Sequence, residues 1–260
     1  MIKAPFFTIV FYALCLCSLS RAETTPMSQP LVEENETLIS CEYAKVPLRT
    51  DIPVLESAQD AEKAKGAFNY KLWLPKGYLA STTKQWPCMF IMSPGGKAGM
   101  GKMADYLKSK GFVVVMLVEA KNGPWGPIVG NFLAAHDDVI KRVRIKEGQK
   151  FATGFSGGAR GSSVFVQARP GFCGLILQGA GTAFDDKGNY LVSKLKQNTG
   201  LYTVMLMGDT DKNNNEVGKM KAVTVPGRFH EIQFTGGHAW APADTFEKGM
   251  AWLSERTMRK

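Results

Sequence analysis

The chain has 260 residues, of which 45% are hydrophobic and 21% are charged, and its formal net charge is +9 at pH 7. This length is enough to bury one substantial core, so a single domain is expected. The 32 Lys and Arg residues are scattered rather than clustered in a stripe, which argues against a nucleic-acid partner. The positive balance favours anionic surroundings, such as cell-wall polymers or acidic polysaccharides.

Residues 1–22 have the layout of a secretory signal peptide. Lys3 supplies a positive charge, residues 6–19 are an apolar stretch, and residues 20–22 place small side chains where a signal peptidase reads. The apolar stretch is shorter than the roughly 20 residues that a membrane span needs, so cleavage is expected rather than a retained anchor. The sequence predicts an exported protein, periplasmic or extracellular, without stable membrane insertion.

Cleavage would leave three cysteines, Cys41, Cys88 and Cys173, and an odd number rules out complete pairing within the chain. Cys88 and Cys173 each begin a short apolar run, which predicts buried packing residues. A disulfide would have to involve Cys41 and is not expected. No Cys or His cluster has metal-ligand spacing, so no metal or other cofactor is predicted.

Residues 23–65 are polar and are predicted to form an extended lead-in before one domain at 66–260. From residue 68 onward, short apolar runs alternate with amphipathic segments, which is typical of an α/β fold: a mostly parallel central sheet flanked by helices. Strands are predicted at 68–74, as an outer strand, and at 88–92, 112–118, 150–154, 175–178, 202–207 and 230–234. Helices are predicted at 103–110, 128–143, 156–168 and 244–256.

The first candidate for chemistry is a G-X-S-X-G sequence at residues 154–158, between a predicted strand and a predicted helix. Gly154 and Gly158 leave room for a turn so tight that Ser156 takes a strained backbone conformation. The turn places Ser156 at a helix N-terminus, where N–H groups stabilise a developing oxyanion. Ser156 is therefore the predicted nucleophile, and the N–H of Gly157 the first oxyanion donor.

A serine nucleophile needs a base, and the chain has three histidines. His136 lies in a predicted helix beside two aspartates and is expected to be a solvated surface residue. His230 opens the last predicted strand, where a structural role is expected. His238 follows that strand in a glycine-rich loop at the C-terminal edge of the sheet, where ligand chemistry collects in open parallel sheets. His238 is the predicted base.

A carboxylate should orient the imidazole and stabilise its cation. Asp209 and Asp211 both follow the penultimate predicted strand. Asp211 is preferred for its reach, three positions after Gly208, and Asp209 stays the alternative acid.

A second glycine-rich turn, Ser-Pro-Gly-Gly at residues 93–96, also follows a predicted strand. Pro94 has no N–H, so Gly95 or Gly96 is predicted to give the second oxyanion donor. A tight turn without a catalytic role would have the same sequence.

Taken in order, these motifs resemble the α/β-hydrolase superfamily, in particular its secreted esterase branch of polyhydroxybutyrate depolymerases and feruloyl esterases. The resemblance covers residues 68–253 and rests on the opening strand at 70–75, residues 154–158, the acid loop at 208–211 and the histidine loop at 236–240. It implies an α/β-hydrolase fold and an enzyme that hydrolyses a carboxylic ester. The chain departs from the family at Ser93 and Pro94, where His-Gly is common.

The sequence therefore predicts an exported serine hydrolase that acts on a small-molecule or polymeric ester through an acyl-enzyme. A serine peptidase on the same scaffold, or a binding protein that has lost turnover, are the alternatives. Trp125 and Trp240 flank the predicted site and would suit sugar rings or an aromatic acyl group, and packing explains them equally well.

The connection at residues 179–201 is too short for a cap domain, so an open site is predicted. The alternative is that residues 119–127 fold over the pocket, with Gly123 and Gly126 as hinges around Trp125.

Overall fold

A computed structural model of the chain describes residues 30–41, 68–185, 187–191, 195 and 200–257. The predicted signal peptide at 1–22 and most of the predicted lead-in lie outside the described residues. From Leu31 onward the described residues belong to one compact unit. Within these ranges, no helix is both long enough and apolar enough to cross a membrane.

Eight described strands form one sheet: β1 (Glu36–Cys41), β2 (Phe68–Trp73), β3 (Trp86–Met92), β4 (Val113–Leu117), β5 (Ile145–Phe155), β6 (Phe172–Gln178), β7 (Tyr202–Gly208) and β8 (Phe229–Phe234). Their spatial order is β1-β2-β4-β3-β5-β6-β7-β8. β2 is antiparallel to both of its neighbours, and all the other pairs are parallel. Every residue of β4 and β6 is buried, as expected of strands that are covered on both faces.

Five described helices cover the sheet: α1 (Ala104–Ser109), α2 (Trp125–Arg142), α3 (Gly157–Ala168), α4 (Glu216–Val223) and α5 (Ala243–Thr257). Helices α2, α3 and α4 contribute to the hydrophobic core on one face, where Phe132 stacks on Phe165 with ring centroids 4.1 Å apart. Helices α1 and α5 contribute Leu107, Phe246 and Met250 to the core on the other face. The predicted α/β fold, with a mostly parallel sheet between helices, is confirmed.

The edge of the sheet differs from the prediction. Residues 36–41, which were predicted to belong to the lead-in, form β1 and cover the outer edge of β2, so β2 is not the outer strand. This strand was not predicted because the segment is mostly polar. Its buried hydrophobic residues are Ile39 and Cys41, while Leu38 points outward. Helix α4 was not predicted, and its weak amphipathic pattern explains why.

His136 was predicted to be a solvated surface residue, and this is wrong. Its ring is buried among Phe90, Phe132 and Phe172, and its Nε2 lies 2.9 Å from the Nζ of Lys150. Burial lowers the pKa of His136 from 6.5 to about 4, so the ring is neutral. Its Nε2 can therefore accept a hydrogen bond from the amino group of Lys150. Most residues of helix α2 are buried. The prediction of an exposed histidine failed because it relied on the two aspartates that follow His136 in the sequence.

The cysteines Cys88 and Cys173 are buried packing residues, as predicted, and Cys41 is buried as well. All three thiols are free. Burial raises the pKa of the Cys41 and Cys173 thiols to about 12, so they stay protonated and unreactive at neutral pH.

Candidate active site

Ser156 occupies the sharp turn between β5 and α3. Its backbone φ of 53° and ψ of −117° lie where a residue with a side chain is strained. A Cβ on Gly154 would lie 2.3 Å from the backbone of Gly158, and one on Gly158 would lie 2.3 Å from the carbonyl oxygen of Met92. The turn therefore closes only with glycine at both positions, and the N–H of Ser156 holds it by donating to Gln178 O at 2.8 Å.

His238 lies between a hydroxyl group and a carboxylate. Its Nε2 is 3.0 Å from Ser156 Oγ, and its Nδ1 is 2.9 Å from Asp211 Oδ2 and 3.0 Å from Asp211 Oδ1. The Asp211 side chain is fully buried, whereas the imidazole keeps 24% of its surface exposed. This arrangement can move a proton from the hydroxyl to the imidazole while the carboxylate stabilises the cation.

Asp209, the alternative acid, faces the backbone of the histidine loop instead of the imidazole. Its Oδ1 accepts the N–H of Gly236 at 3.0 Å, and its side chain is exposed. The two loops pack tightly, because a Cβ on Gly208 would lie 2.3 Å from Gly236 O. The structure thus brings Asp211, and not Asp209, to His238.

The predicted oxyanion donors differ in whether their N–H groups are free. Gly157 begins α3, so its N–H has no acceptor within the helix and points out of the helix N-terminus. The N–H of Gly96 is used in the turn at residues 93–96, where it donates to Ser93 O at 3.0 Å. The N–H of Gly95 has no acceptor among the described residues. Of the two glycines predicted in this turn, Gly95 is the one left with a free donor.

The same fold is found in solved structures of hydrolases. A ferulic acid esterase superposes with a TM-score of 0.58 at 13% identity, over 86% of this chain and 99% of the esterase. The S-formylglutathione hydrolase of Staphylococcus aureus gives 0.58 at 14% identity, over 84% and 98%. An acylaminoacyl peptidase of Pyrococcus horikoshii gives 0.55 at 11% identity, over 86% of this chain and 41% of the peptidase. No protein-family profile and no curated protein sequence matches the chain.

The chain has the α/β-hydrolase fold. In this fold the loops at the C-terminal ends of the parallel strands form the site. Ser156 follows β5, Asp211 follows β7 and His238 follows β8, so three segments distant in sequence meet at one edge of the sheet.

Gln178 supports this site and was not predicted from the sequence. Its carbonyl oxygen accepts the N–H of Ser156, and its side-chain Oε1 accepts the N–H of Ala241 at 3.2 Å. Its Nε2 donates to Thr153 Oγ1 at 3.0 Å. Gln178 therefore ties the turn that carries the serine to the loop that carries the histidine. The feature of the sequence that could have indicated its role is a polar Gln at the end of an otherwise apolar strand.

The two tryptophans predicted near the site have different surroundings. Trp240 packs against Phe155 with ring centroids 5.5 Å apart, and Phe155 in turn lies 4.6 Å from the ring of His238. Trp125 begins α2 and packs, half-buried, against the core of that face. Both tryptophans are partly buried and pack against a hydrophobic core, and Trp240 also belongs to the aromatic surroundings of the imidazole.

The loop at residues 119–124 lies against the site. Glu119 holds its start by accepting the backbone and side-chain N–H groups of Asn69, at 2.8 and 2.7 Å. Asn131 accepts the N–H of Glu119 at 3.1 Å and that of Ala120 at 3.0 Å. Gly126, expected to be a hinge of this loop, lies inside α2 and is buried, so the residue that can serve as a hinge is Gly123.

Proposed function

We propose that this chain is an exported serine hydrolase that cleaves a carboxylic ester through an acyl-enzyme intermediate. The observation that carries the proposal is the 3.0 Å distance between Ser156 Oγ and His238 Nε2, with Asp211 on the other ring nitrogen. Chance rarely places a strained serine, a histidine and a buried carboxylate in this order at one sheet edge. The fold of known esterases supports the same reading.

In the acylation step, Ser156 Oγ attacks the acyl carbon while His238 Nε2 takes the hydroxyl proton. The carbonyl oxygen becomes an oxyanion beside the N–H of Gly157, and Asp211 stabilises the imidazolium. The tetrahedral intermediate collapses, the ester C–O bond breaks, and the alcohol leaves with the proton from His238. Water, deprotonated by the same imidazole, then attacks the acyl-enzyme, and release of the acid returns the proton to Ser156.

For the substrate, we propose an ester with an aromatic or sugar group, either small or part of a polymer. The rings of Phe155 and Trp240 beside His238 favour a planar or ring-shaped group. A ferulic acid esterase is among the structures with the same fold. Because one such structure is an acylaminoacyl peptidase, peptide hydrolysis by the same residues is the second candidate.

The test is a kinetic comparison of matched substrates: nitrophenyl acetate, methyl ferulate, an acetylated xylan fragment and the corresponding anilides. Ester hydrolysis should exceed anilide hydrolysis, and Ser156→Ala should lower kcat by roughly 10³-fold or more. A fluorophosphonate probe should label the wild type and not the variant. Anilides cleaved faster than esters would favour the peptidase, and a wild type that neither labels nor turns over would refute both.

Export is tested separately. The signal-peptide layout of residues 1–22 supports it. The full-length chain, expressed in a bacterium, should accumulate outside the cytoplasm with Glu23 as its N-terminal residue. Recovery of the uncleaved chain from the cytoplasm would contradict the proposal.

A further inference from the structure

The side chain of Asn122 lies directly on Gly157, the residue after the proposed nucleophile. A Cβ built on Gly157 would be 1.7 Å from Asn122 Oδ1 and 3.2 Å from Asn122 Nδ2. Since a carbon–carbon bond is about 1.5 Å long, Oδ1 lies within about 3.2 Å of the Gly157 Cα atom. The carboxamide of Asn122 therefore occupies the space that a side chain on Gly157 would fill, next to the first free N–H of α3.

The backbone of the loop holds Asn122 in this place. Its N–H donates to Pro94 O at 2.8 Å, which joins the loop at 119–124 to the turn at 93–96. Gly123, at φ 151°, and Pro124 follow and lead the chain into α2. Both of the loops that border the N-terminus of α3 are thus fixed to each other through Asn122.

The carboxamide itself is free to act on a ligand. Among the described residues, neither Oδ1 nor Nδ2 of Asn122 has a hydrogen-bond partner, and the residue is exposed. A rotation about the last side-chain bond exchanges the two atoms without moving the rest of the side chain. An exposed carboxamide beside the N–H of Gly157 is able to turn its NH₂ group toward a negative charge that forms there.

We propose that Asn122 is a catalytic residue whose side-chain NH₂ group donates a hydrogen bond to the oxyanion, beside the backbone N–H of Gly157. This inference rests on the proposed function. It explains why residue 157 is glycine although its backbone φ is not positive, because the carboxamide needs the space. It also adds a side-chain donor to a site whose free backbone donors are the N–H groups of Gly157 and Gly95, since the N–H of Gly96 is used within its turn.

The first test compares Asn122→Ala, Asn122→Asp and Lys121→Ala, a control on the neighbouring exposed residue, with nitrophenyl acetate as substrate. Loss of an oxyanion donor should lower kcat by about 10²-fold and leave KM within about 2-fold. Asn122→Asp, which has the same shape but no N–H and carries a negative charge, should lose at least as much. Lys121→Ala should keep wild-type kcat. Circular dichroism melts check that each variant is folded.

The second test uses the close contact with Gly157. Gly157→Ala alone should lower kcat by about 10²-fold, because its methyl group must displace the Asn122 side chain. In the Asn122→Ala background the same change should cause no further loss. This lack of additivity distinguishes a shared site from two independent effects.

The results that overturn the inference differ from those that overturn the proposed function. Wild-type kcat in Asn122→Ala, in an enzyme whose Ser156 labels with a fluorophosphonate, would refute the role of Asn122 and leave the hydrolase proposal intact. A rise in KM alone would make Asn122 a ground-state substrate contact and would also refute the role. Absence of wild-type turnover and labelling would refute the function itself.

Discussion

Replacing Asp211 by Asn should stop the imidazole of His238 from acting as a base. Both carboxylate oxygens of Asp211 face His238 Nδ1, at 2.9 and 3.0 Å, and Oδ1 also accepts the N–H of Asn213 at 2.8 Å. In the variant, the one remaining oxygen would stay with the Asn213 N–H, so the new NH₂ group would face Nδ1. A donor at that position selects the imidazole tautomer that carries its proton on Nε2, and this nitrogen can then take no proton from Ser156.

The expected loss in kcat for Asp211→Asn is about 10⁴-fold, equivalent to about 5 kcal/mol of transition-state stabilisation. Asp209→Asn is the matched control, because its oxygen can still accept the N–H of Gly236 and nothing joins it to the imidazole. The control should keep kcat within a few-fold. The assay is steady-state hydrolysis of nitrophenyl acetate, with thermal melts to show that both variants fold. A larger loss in Asp209→Asn than in Asp211→Asn would refute the assignment of the acid.

Three further predictions concern stability. Gly158→Ala should destabilise the fold by about 3 kcal/mol in a urea melt, since its Cβ would lie 2.3 Å from a β3 carbonyl oxygen, whereas Gly218→Ala, with open space around it, should not. Equal stability of the two variants would contradict the packing of the turn. Glu216→Gln should lower Tm by roughly 6–12 °C, because Glu216 is a buried partner of an arginine at 2.6 Å, while Asp244→Asn, in an exposed ion pair, should have almost no effect. An unchanged Tm for Glu216→Gln would show that this pair adds no stability. His136, whose pKa is lowered by burial from 6.5 to about 4, should make the wild type lose on the order of 3 kcal/mol as pH falls from 6.5 to 4, because the unfolded chain binds the proton first. Urea melts of His136→Gln should show a smaller loss of stability between pH 6.5 and 4 than those of the wild type. An equal loss in both proteins would mean that other groups cause it.

The sequence by itself determined the α/β fold and the candidates for the nucleophile, the base and the acid. Continuous apolar runs such as β4 report burial on both faces of a strand, and the G-X-S-X-G pattern reports a strand-to-helix turn, because both depend on residues that are close in sequence. The rule that loops at the C-terminal edge of a parallel sheet meet then linked Ser156 and His238 with two candidate acids, Asp211 and Asp209.

Only the tertiary structure decided which of these residues touch and what surrounds them. The choice between Asp209 and Asp211 depends on packing of the loops after β7 and β8, and the burial of His136 depends on a pocket of aromatic rings from three elements. Gln178 joins Ala241, 63 positions away, and Asn122 lies on Gly157 through a loop with no regular pattern. Periodicity records the local conformation of a chain and which side of each element is buried. Contacts between loops follow from how the finished elements pack, and this leaves no periodic trace in the sequence.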